Sequence, residues 1–126
     1  MNRILLIEDD EAIRDVITEA LCSEYSVIAT DDTRNIFGLI KEHKPDLILM
    51  DYILPNINGG ELCHMVKSEP STSHLPVIII SGYPRVLYSL GTYGCDGVIE
   101  KPFDLSMLLF TVRRFTKFAN KYPIVG

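Results

Sequence analysis

The sequence predicts an α/β protein, a doubly wound five-stranded parallel sheet with helices on both faces. Two observations support this fold class. Short apolar runs alternate with amphipathic helical patterns along the chain, as in successive βα units joined by right-handed crossovers. The 126 residues suit a single hydrophobic core and contain no stretch typical of a linker or a repeat. We therefore expect one domain over residues 1–120, followed by a short C-terminal tail over residues 121–126.

Five short apolar runs are predicted to form the strands. They are rich in aliphatic and β-branched residues and lack a polar alternation, which is typical of parallel strands that helices cover on both faces. The predicted strands are residues 3–7, 25–29, 47–50, 77–80 and 98–100.

The stretches between these runs carry helical patterns. In the first, apolar residues recur at helical spacing, and Asp9 or Asp10 can cap the helix. An acidic turn, residues 31–33, is predicted to cap the second helix, which ends near Lys44. Gly59-Gly60 opens the third. The apolar stripe of the first helix comprises Ile13, Val16, Ile17, Ala20 and Leu21.

The last two helical stretches differ in strength. Residues 104–120 are predicted to form a helix that Asp104 caps, with an inward face of Leu105, Leu108, Val112, Phe115 and Ala119. Residues 84–92 contain Pro84 and Gly91, so we expect a short, mobile or partly non-helical segment there.

Composition and charge narrow the function classes. The chain is 47% hydrophobic and 23% charged, as globular domains are, and its net charge of −5 argues against nucleic-acid binding. No apolar run approaches the roughly 20 residues that span a bilayer, and the N-terminus does not resemble a signal peptide. We expect a cytoplasmic protein with no membrane insertion. Three scattered cysteines, Cys22, Cys63 and Cys95, indicate reduced thiols.

The end of the chain is basic and partly apolar. From residue 105 onward it holds Arg113, Arg114, Lys117 and Lys121 and no acid. An ordinary solvated helix explains this pattern. The alternative is a contact surface for an acidic target or a second copy of the chain, to which Phe110, Phe118 and Tyr122 would contribute.

Polar side chains stand where four of the predicted strands end. Asp51 follows an apolar run without any packing reason to do so, and Glu8-Asp9-Asp10 follows the first strand. Ser81 and Lys101 follow the last two strands. Helix capping or ordinary loop positions explain each residue alone. However, ligands of doubly wound sheets bind at the carboxyl ends of the strands, so the joint placement predicts one site.

These residue types together favour phosphoryl transfer. Three carboxylates, Glu8, Asp9 and Asp51, repel each other unless a hard cation such as Mg²⁺ binds among them. A carboxylate can act as a nucleophile and form an aspartyl phosphate. The charge on the transferred group then needs neutralisation, which Mg²⁺, the Lys101 ammonium and the Ser81 hydroxyl can provide.

Four motifs carry a family resemblance. They are Ile7-Glu8-Asp9-Asp10, Met50-Asp51-Tyr52-Ile53-Leu54-Pro55 with Asn58-Gly59, Ile80-Ser81-Gly82 and Lys101-Pro102-Phe103. In order and spacing, the set resembles the flavodoxin-like receiver domain of two-component response regulators, of the stand-alone chemotaxis type.

The resemblance implies a role for each matching residue. Asp51 is expected to be the phosphoacceptor. The expected Mg²⁺ ligands are Asp9, Asp51 and the backbone carbonyl of Ile53, with Glu8 holding a metal-bound water. Ser81 and Lys101 are expected to contact the phosphoryl group. The Lys101-Pro102 peptide bond is expected to be cis, and Gly59 to serve the tight turn after the phosphorylation loop.

The resemblance also implies function and partners. A histidine kinase or a histidine phosphotransfer protein is expected to donate the phosphoryl group, and a change of surface conformation is expected to carry the signal. The protein is then not an enzyme beyond accepting the group and slowly losing it. The family usually has an aromatic residue at the position of Val98, which leaves open a phosphate sink or relay without conformational output.

Two other classes fit the residues less well. An Mg²⁺-dependent phosphatase with an aspartyl nucleophile needs a second acid two residues after Asp51, where Ile53 stands. A flavin-binding doubly wound domain needs a Ser/Thr/Gly-rich phosphate loop after the first strand, where the sequence has acids.

Overall fold

The computed structural model, which describes residues 2–83, 85 and 94–118, contains one parallel sheet of five strands. The strand order is β2-β1-β3-β4-β5. The strands are β1 (Arg3–Ile7), β2 (Ser26–Thr30), β3 (Leu47–Asp51), β4 (Val77–Ser81) and β5 (Gly97–Glu100). The predicted fold class is therefore confirmed.

The helices of the described residues follow the predicted pattern. They are α1 (Glu11–Leu21), α2 (Ile36–His43), α3 (Gly59–Ser68) and α4 (Leu105–Arg113), and α4 continues into a π-helical turn, Arg114–Phe118. The remainder of the predicted last helix and the prediction for residues 84–92, apart from Arg85, lie outside the described residues. None of the described helices is long and apolar enough to cross a bilayer.

The hydrophobic core has one layer on each face of the sheet. Successive residues of β1 point to opposite faces, so Leu5 and Ile7 pack in one layer while Ile4 and Leu6 pack in the other. The first layer includes residues of α2 and α3, and the second includes residues of α1 and α4. All residues of β1 but the first are buried, as expected of a strand that helices cover on both sides.

Three strands extend one residue further than their apolar runs. The parallel ladder pairs Ile7 with Thr30, Asp51 with Ile80, and Ser81 with Glu100. Asp51 and Ser81 are thus the last residues of their strands. A pattern of apolar residues cannot include them, because backbone pairing holds them in the sheet.

The predicted helix caps are right at two helices and wrong at α2. Asp10 and Asp104 accept hydrogen bonds from the backbone N–H groups three residues later, at 3.1 and 2.7 Å. At α2, however, the N-cap is Asn35, and its side chain makes no capping hydrogen bond. The Asp32 carboxylate accepts from the Arg34 N–H instead, so this acidic segment forms a turn before the helix.

Two residues of the predicted apolar stripes are exposed. Val16 and Leu105 expose 51% and 46% of their surface, although both were expected to face the core. They line a surface groove of about 690 Å³ between α1 and the segment that follows β5. Helical spacing places a residue on a side of the helix but cannot say whether another element covers that side.

Gly59 is required by space rather than by a turn. It is the first residue of α3, and its N–H donates to the Tyr52 carbonyl at 2.7 Å. A Cβ atom there would overlap the Asp51 carbonyl oxygen and lie 3.0 Å from the Tyr52 Cα. The tight-turn expectation is therefore wrong: the glycine allows α3 to begin directly against the end of β3.

We predict that Gly59→Ala lowers the free energy of unfolding by about 1–3 kcal/mol, because rigid backbone atoms cannot move away from the added methyl group. Without that clash, alanine would favour a helix over glycine. Gly82→Ala is the matched control, since among the described residues the nearest atom to its Cβ would be Lys101 Cβ at 4.0 Å. Urea unfolding measures both, and equal stability of the two variants would contradict the prediction.

Candidate functional site

The strand order brings the predicted site residues to one edge of the sheet. The chain passes from β1 outward to β2 and returns to β3 on the other side of β1, so the order reverses between β1 and β3. Ligand crevices of doubly wound sheets lie at this reversal, outside the carboxyl ends of the strands. Glu8 follows β1 there, Asp51 ends β3, Ser81 ends β4 and Lys101 follows β5.

Three carboxylates meet at the reversal. One carboxylate oxygen from each of Glu8, Asp9 and Asp51 lies within 4.8 Å of the other two. Glu8 is 1% exposed and Asp51 is 5% exposed, whereas Asp9 reaches the surface. A divalent cation could enter from the Asp9 side and contact all three.

The Glu8 carboxylate has one satisfied and one unsatisfied oxygen. Its Oε1 accepts from the Asp10 N–H at 3.1 Å, while its buried Oε2 has no hydrogen-bond partner among the described residues. An unpaired buried oxygen costs free energy, which a cation or its bound water would recover. Oxygen ligands grouped in this way fit Mg²⁺.

Burial and mutual repulsion oppose ionisation of the two inner acids. Burial raises the pKa of Glu8 to about 7, and the Asp51 charge adds to that shift. Burial also raises the pKa of Asp51 above its ordinary value, although the hydrogen bond from Lys101 acts in the opposite direction. The site is therefore short of positive charge when no cation is bound.

Lys101 is held beside Asp51. Its Nζ lies 2.8 Å from Asp51 Oδ1, and its backbone N–H donates to the Ser81 carbonyl at 2.8 Å. The Lys101-Pro102 peptide bond is cis, as the sequence predicted. The lysine thus places a positive charge beside the Asp51 carboxylate at the end of β3, the central strand.

The Ser81 hydroxyl is buried at the end of β4. The residue is 1% exposed, and its Oγ accepts from the Tyr83 N–H at 2.9 Å. The side chains of Tyr83 and Ile53 lie at the surface, 62% and 57% exposed. Ile53 follows Asp51 by two positions, and Tyr83 follows Ser81 by two positions. The role of the Ile53 carbonyl as a metal ligand stays a prediction.

The basic end of the chain is partly used within the molecule. The Arg113 guanidinium pairs with the Glu24 carboxylate, and the Arg114 guanidinium lies 5.4 Å from the centroid of the Phe115 ring. Phe110 remains 63% exposed. Arg113 therefore has an acidic partner within the chain, while a contact of this helix with a target or a second copy stays a prediction.

Sequence reasoning missed Arg14, which contacts the turn formed by Glu8, Asp9 and Asp10. Arg14 in α1 donates from Nη1 to the Glu8 carbonyl oxygen at 2.8 Å. It belongs to none of the four motifs, and a helical arginine is usually solvated. One sequence signal could have identified Arg14. It is a cation close to the beginning of a helix, where the helix dipole disfavours positive charge.

Comparison with known proteins identifies the family. Residues 4–113 match the family model described as the response regulator receiver domain. The chain therefore belongs to this family of signalling domains.

Individual relatives agree with this assignment. Response regulator ArlR of Staphylococcus aureus is 34% identical over 99% of this chain and 57% of its own length. Histidine kinase P4 of Formosa agariphila is 31% identical over 82% of this chain, which is 8% of the kinase. The chain thus spans little more than half of the one relative and a small part of the other.

A solved structure agrees as well. The signal receiver domain of a signal transduction histidine kinase from Syntrophus aciditrophicus has a TM-score of 0.85 and 25% identity, covering 100% of this chain and 98% of that one.

We predict that Glu8→Gln stabilises the cation-free protein at alkaline pH. An acid whose pKa is raised in the folded state, here from 4.5 to about 7, makes folding less favourable as pH rises through that interval. In a chelating buffer the variant should gain roughly 1–3 kcal/mol at about pH 8.5, and less at about pH 5, where folded Glu8 is already protonated.

Thermal unfolding at the two pH values measures this gain. Glu19→Gln, an exposed acid of α1, is the control and should change little at either pH. A Glu8→Gln protein less stable than wild type at alkaline pH would contradict the prediction.

Proposed function

We propose that the chain accepts a phosphoryl group on Asp51 from a phosphohistidine of a histidine kinase or a histidine phosphotransfer protein, with Mg²⁺ as cofactor. The observation that carries this proposal is the convergence of a buried aspartate, a lysine 2.8 Å away and two further carboxylates. Glu8, Asp9, Asp51 and the Ile53 carbonyl would hold the cation or its waters.

Each residue has a chemical task in the transfer. An Asp51 oxygen attacks phosphorus while the bond to the donor's imidazole nitrogen breaks, giving an aspartyl phosphate. When bound, Mg²⁺ supplies positive charge that neutralises phosphoryl oxygens. The Lys101 ammonium neutralises another oxygen from the position it already occupies beside Asp51. Water later hydrolyses the aspartyl phosphate, so the protein returns to its resting state.

Ser81 supports a signalling output. The Ser81 hydroxyl is held by the Tyr83 N–H at 2.9 Å. Movement of the hydroxyl toward a phosphoryl group on Asp51 would break this hydrogen bond and release the backbone after β4. Val98, half-buried against the core layer of α2 and α3, has no ring to take part in that change. We propose that the output begins at the backbone of Ser81 and Tyr83.

The groove between α1 and the segment after β5 supports docking of the phosphodonor. Its lining is apolar and includes Ile13, Val16 and Phe103, and it adjoins Lys101. A donor histidine must reach Asp51, which Lys101 contacts directly, so a protein seated in this groove would lie next to the reacting atoms.

The exposed apolar side chains of α4 support a second contact. Met107 and Phe110 expose 52% and 63% of their surface. We propose that this helix meets a target or a second copy of the chain.

We expect acetyl phosphate with Mg²⁺ to phosphorylate the wild type once and to leave Asp51→Asn unmodified, because the amide is not a nucleophile. Intact-mass spectrometry measures the added group, and borohydride trapping locates it. Asp15→Asn, an exposed acid of α1, is the control and should be labelled as wild type is. A modified Asp51→Asn protein, or an unmodified wild type, would refute the central proposal.

We further expect Ile53→Asn and Tyr83→Ala to shorten the lifetime of the phosphorylated protein several-fold. Both bulky side chains stand at the surface two residues beyond Asp51 and Ser81, where they would shield the aspartyl phosphate from water. Phosphate release after removal of the donor measures the lifetime. Phe37→Ala, an exposed apolar residue of α2, is the control. Faster decay in the wild type than in the two variants would exclude shielding.

A further inference from the structure

Arg14 makes a contact that local helix rules do not explain. It is the fourth residue of α1, near the positive end of the helix dipole, where a cation is disfavoured. Its guanidinium nevertheless turns back and donates to the carbonyl oxygen of Glu8, six residues earlier, at 2.8 Å in a partly buried position. The contact therefore points to the turn formed by Glu8, Asp9 and Asp10, which carries two of the three clustered carboxylates.

The turn from Glu8 to Asp10 is restrained at several points. The Glu8 N–H donates to the Thr30 carbonyl at 3.0 Å, and the Asp10 N–H donates to the Glu8 carboxylate at 3.1 Å. The Arg14 N–H donates to the Asp10 carbonyl at 2.9 Å. Arg14 thus holds both ends of the turn, one end with its side chain and the other with its backbone.

A restraint is needed because the turn carries two of three mutually repelling carboxylates. Without a cation, Glu8 and Asp9 are driven away from Asp51 by like charge. The contact of the Arg14 guanidinium is with the backbone carbonyl oxygen of Glu8, at 2.8 Å. Arg14 therefore acts on the backbone of the turn rather than on its carboxylates.

We propose that Arg14 is a positioning residue of the divalent-cation site. By fixing the peptide group between Glu8 and Asp9, it keeps both carboxylates directed at Asp51 before the cation arrives. Affinity then rises because the ligands are already arranged, as groups outside the coordination sphere achieve in other metal sites. The inference rests on the proposed function, since it assumes that the three carboxylates hold a divalent cation.

The test uses Mn²⁺ as a probe in place of Mg²⁺. The dissociation constant is measured on the whole chain from the electron paramagnetic resonance signal of free Mn²⁺, with no phosphodonor present. We expect Arg14→Gln to weaken Mn²⁺ binding about tenfold, and Arg14→Lys to weaken it less. Phosphorylation of Arg14→Gln by acetyl phosphate should be slower than that of the wild type at low Mg²⁺ and should reach the wild-type rate at saturating Mg²⁺.

Arg3→Gln is the matched control. The Arg3 guanidinium also donates to a backbone carbonyl, that of His43 at 3.1 Å, but from the beginning of β1, at the other end from the site. Its loss should leave Mn²⁺ affinity unchanged. The unfolding temperatures of all variants distinguish a general loss of stability from a loss of Mn²⁺ affinity. A general loss of stability would lower the unfolding temperature without changing the dissociation constant.

The outcomes distinguish this inference from the proposed function. Wild-type Mn²⁺ affinity in folded Arg14→Gln overturns the positioning role and leaves the proposed function standing. Equal weakening in Arg3→Gln also overturns it. A wild type that binds no Mn²⁺ overturns both. If Arg14→Gln does not fold, Arg14→Lys decides, and unaltered affinity there overturns the inference.

Discussion

The repulsion among three neighbouring carboxylates is the constraint on which the rest of this structure depends. Glu8, Asp9 and Asp51 place one oxygen each within 4.8 Å of the others, and two of these residues are almost fully buried. Burial, and after it the Asp51 charge, raises the pKa of Glu8, so such a group is unfavourable in an interior without a metal. Lys101 offsets part of the charge. A bound cation would offset more, and phosphorylation would place further negative charge against the same lysine.

The sheet makes this arrangement possible. Parallel pairing aligns the carboxyl ends of neighbouring strands, so residues far apart in the chain meet at one edge. The two core layers keep that edge in place, because each strand is held by helices from both sides. The packed apolar core therefore positions the site residues, although their negative charges repel each other.

Much of the fold followed from residue patterns, for a physical reason. Apolar runs and helical stripes reflect burial on one or both faces, so the strands were predicted to within one residue at each end and the described helices in their correct order. The predictions were wrong where the position of a residue depends on which other element packs against it. The acids before α2 form a turn rather than a cap, and Val16 faces an open groove rather than the core. Whether a helix side is covered depends on what packs there, which periodicity does not contain.

By itself, the sequence determined the class of fold, the polar residues at the strand ends and the membership of the receiver family. These features follow from burial patterns and motif spacing, which depend only on the order of residues. Only the tertiary structure decided which carboxylate oxygen has no partner in the described part of the chain, that Gly59 leaves room for the Asp51 carbonyl, and that Arg14 reaches back to Glu8. These facts depend on distances between atoms of different elements, and such distances exist only once the sheet and its helices have packed together.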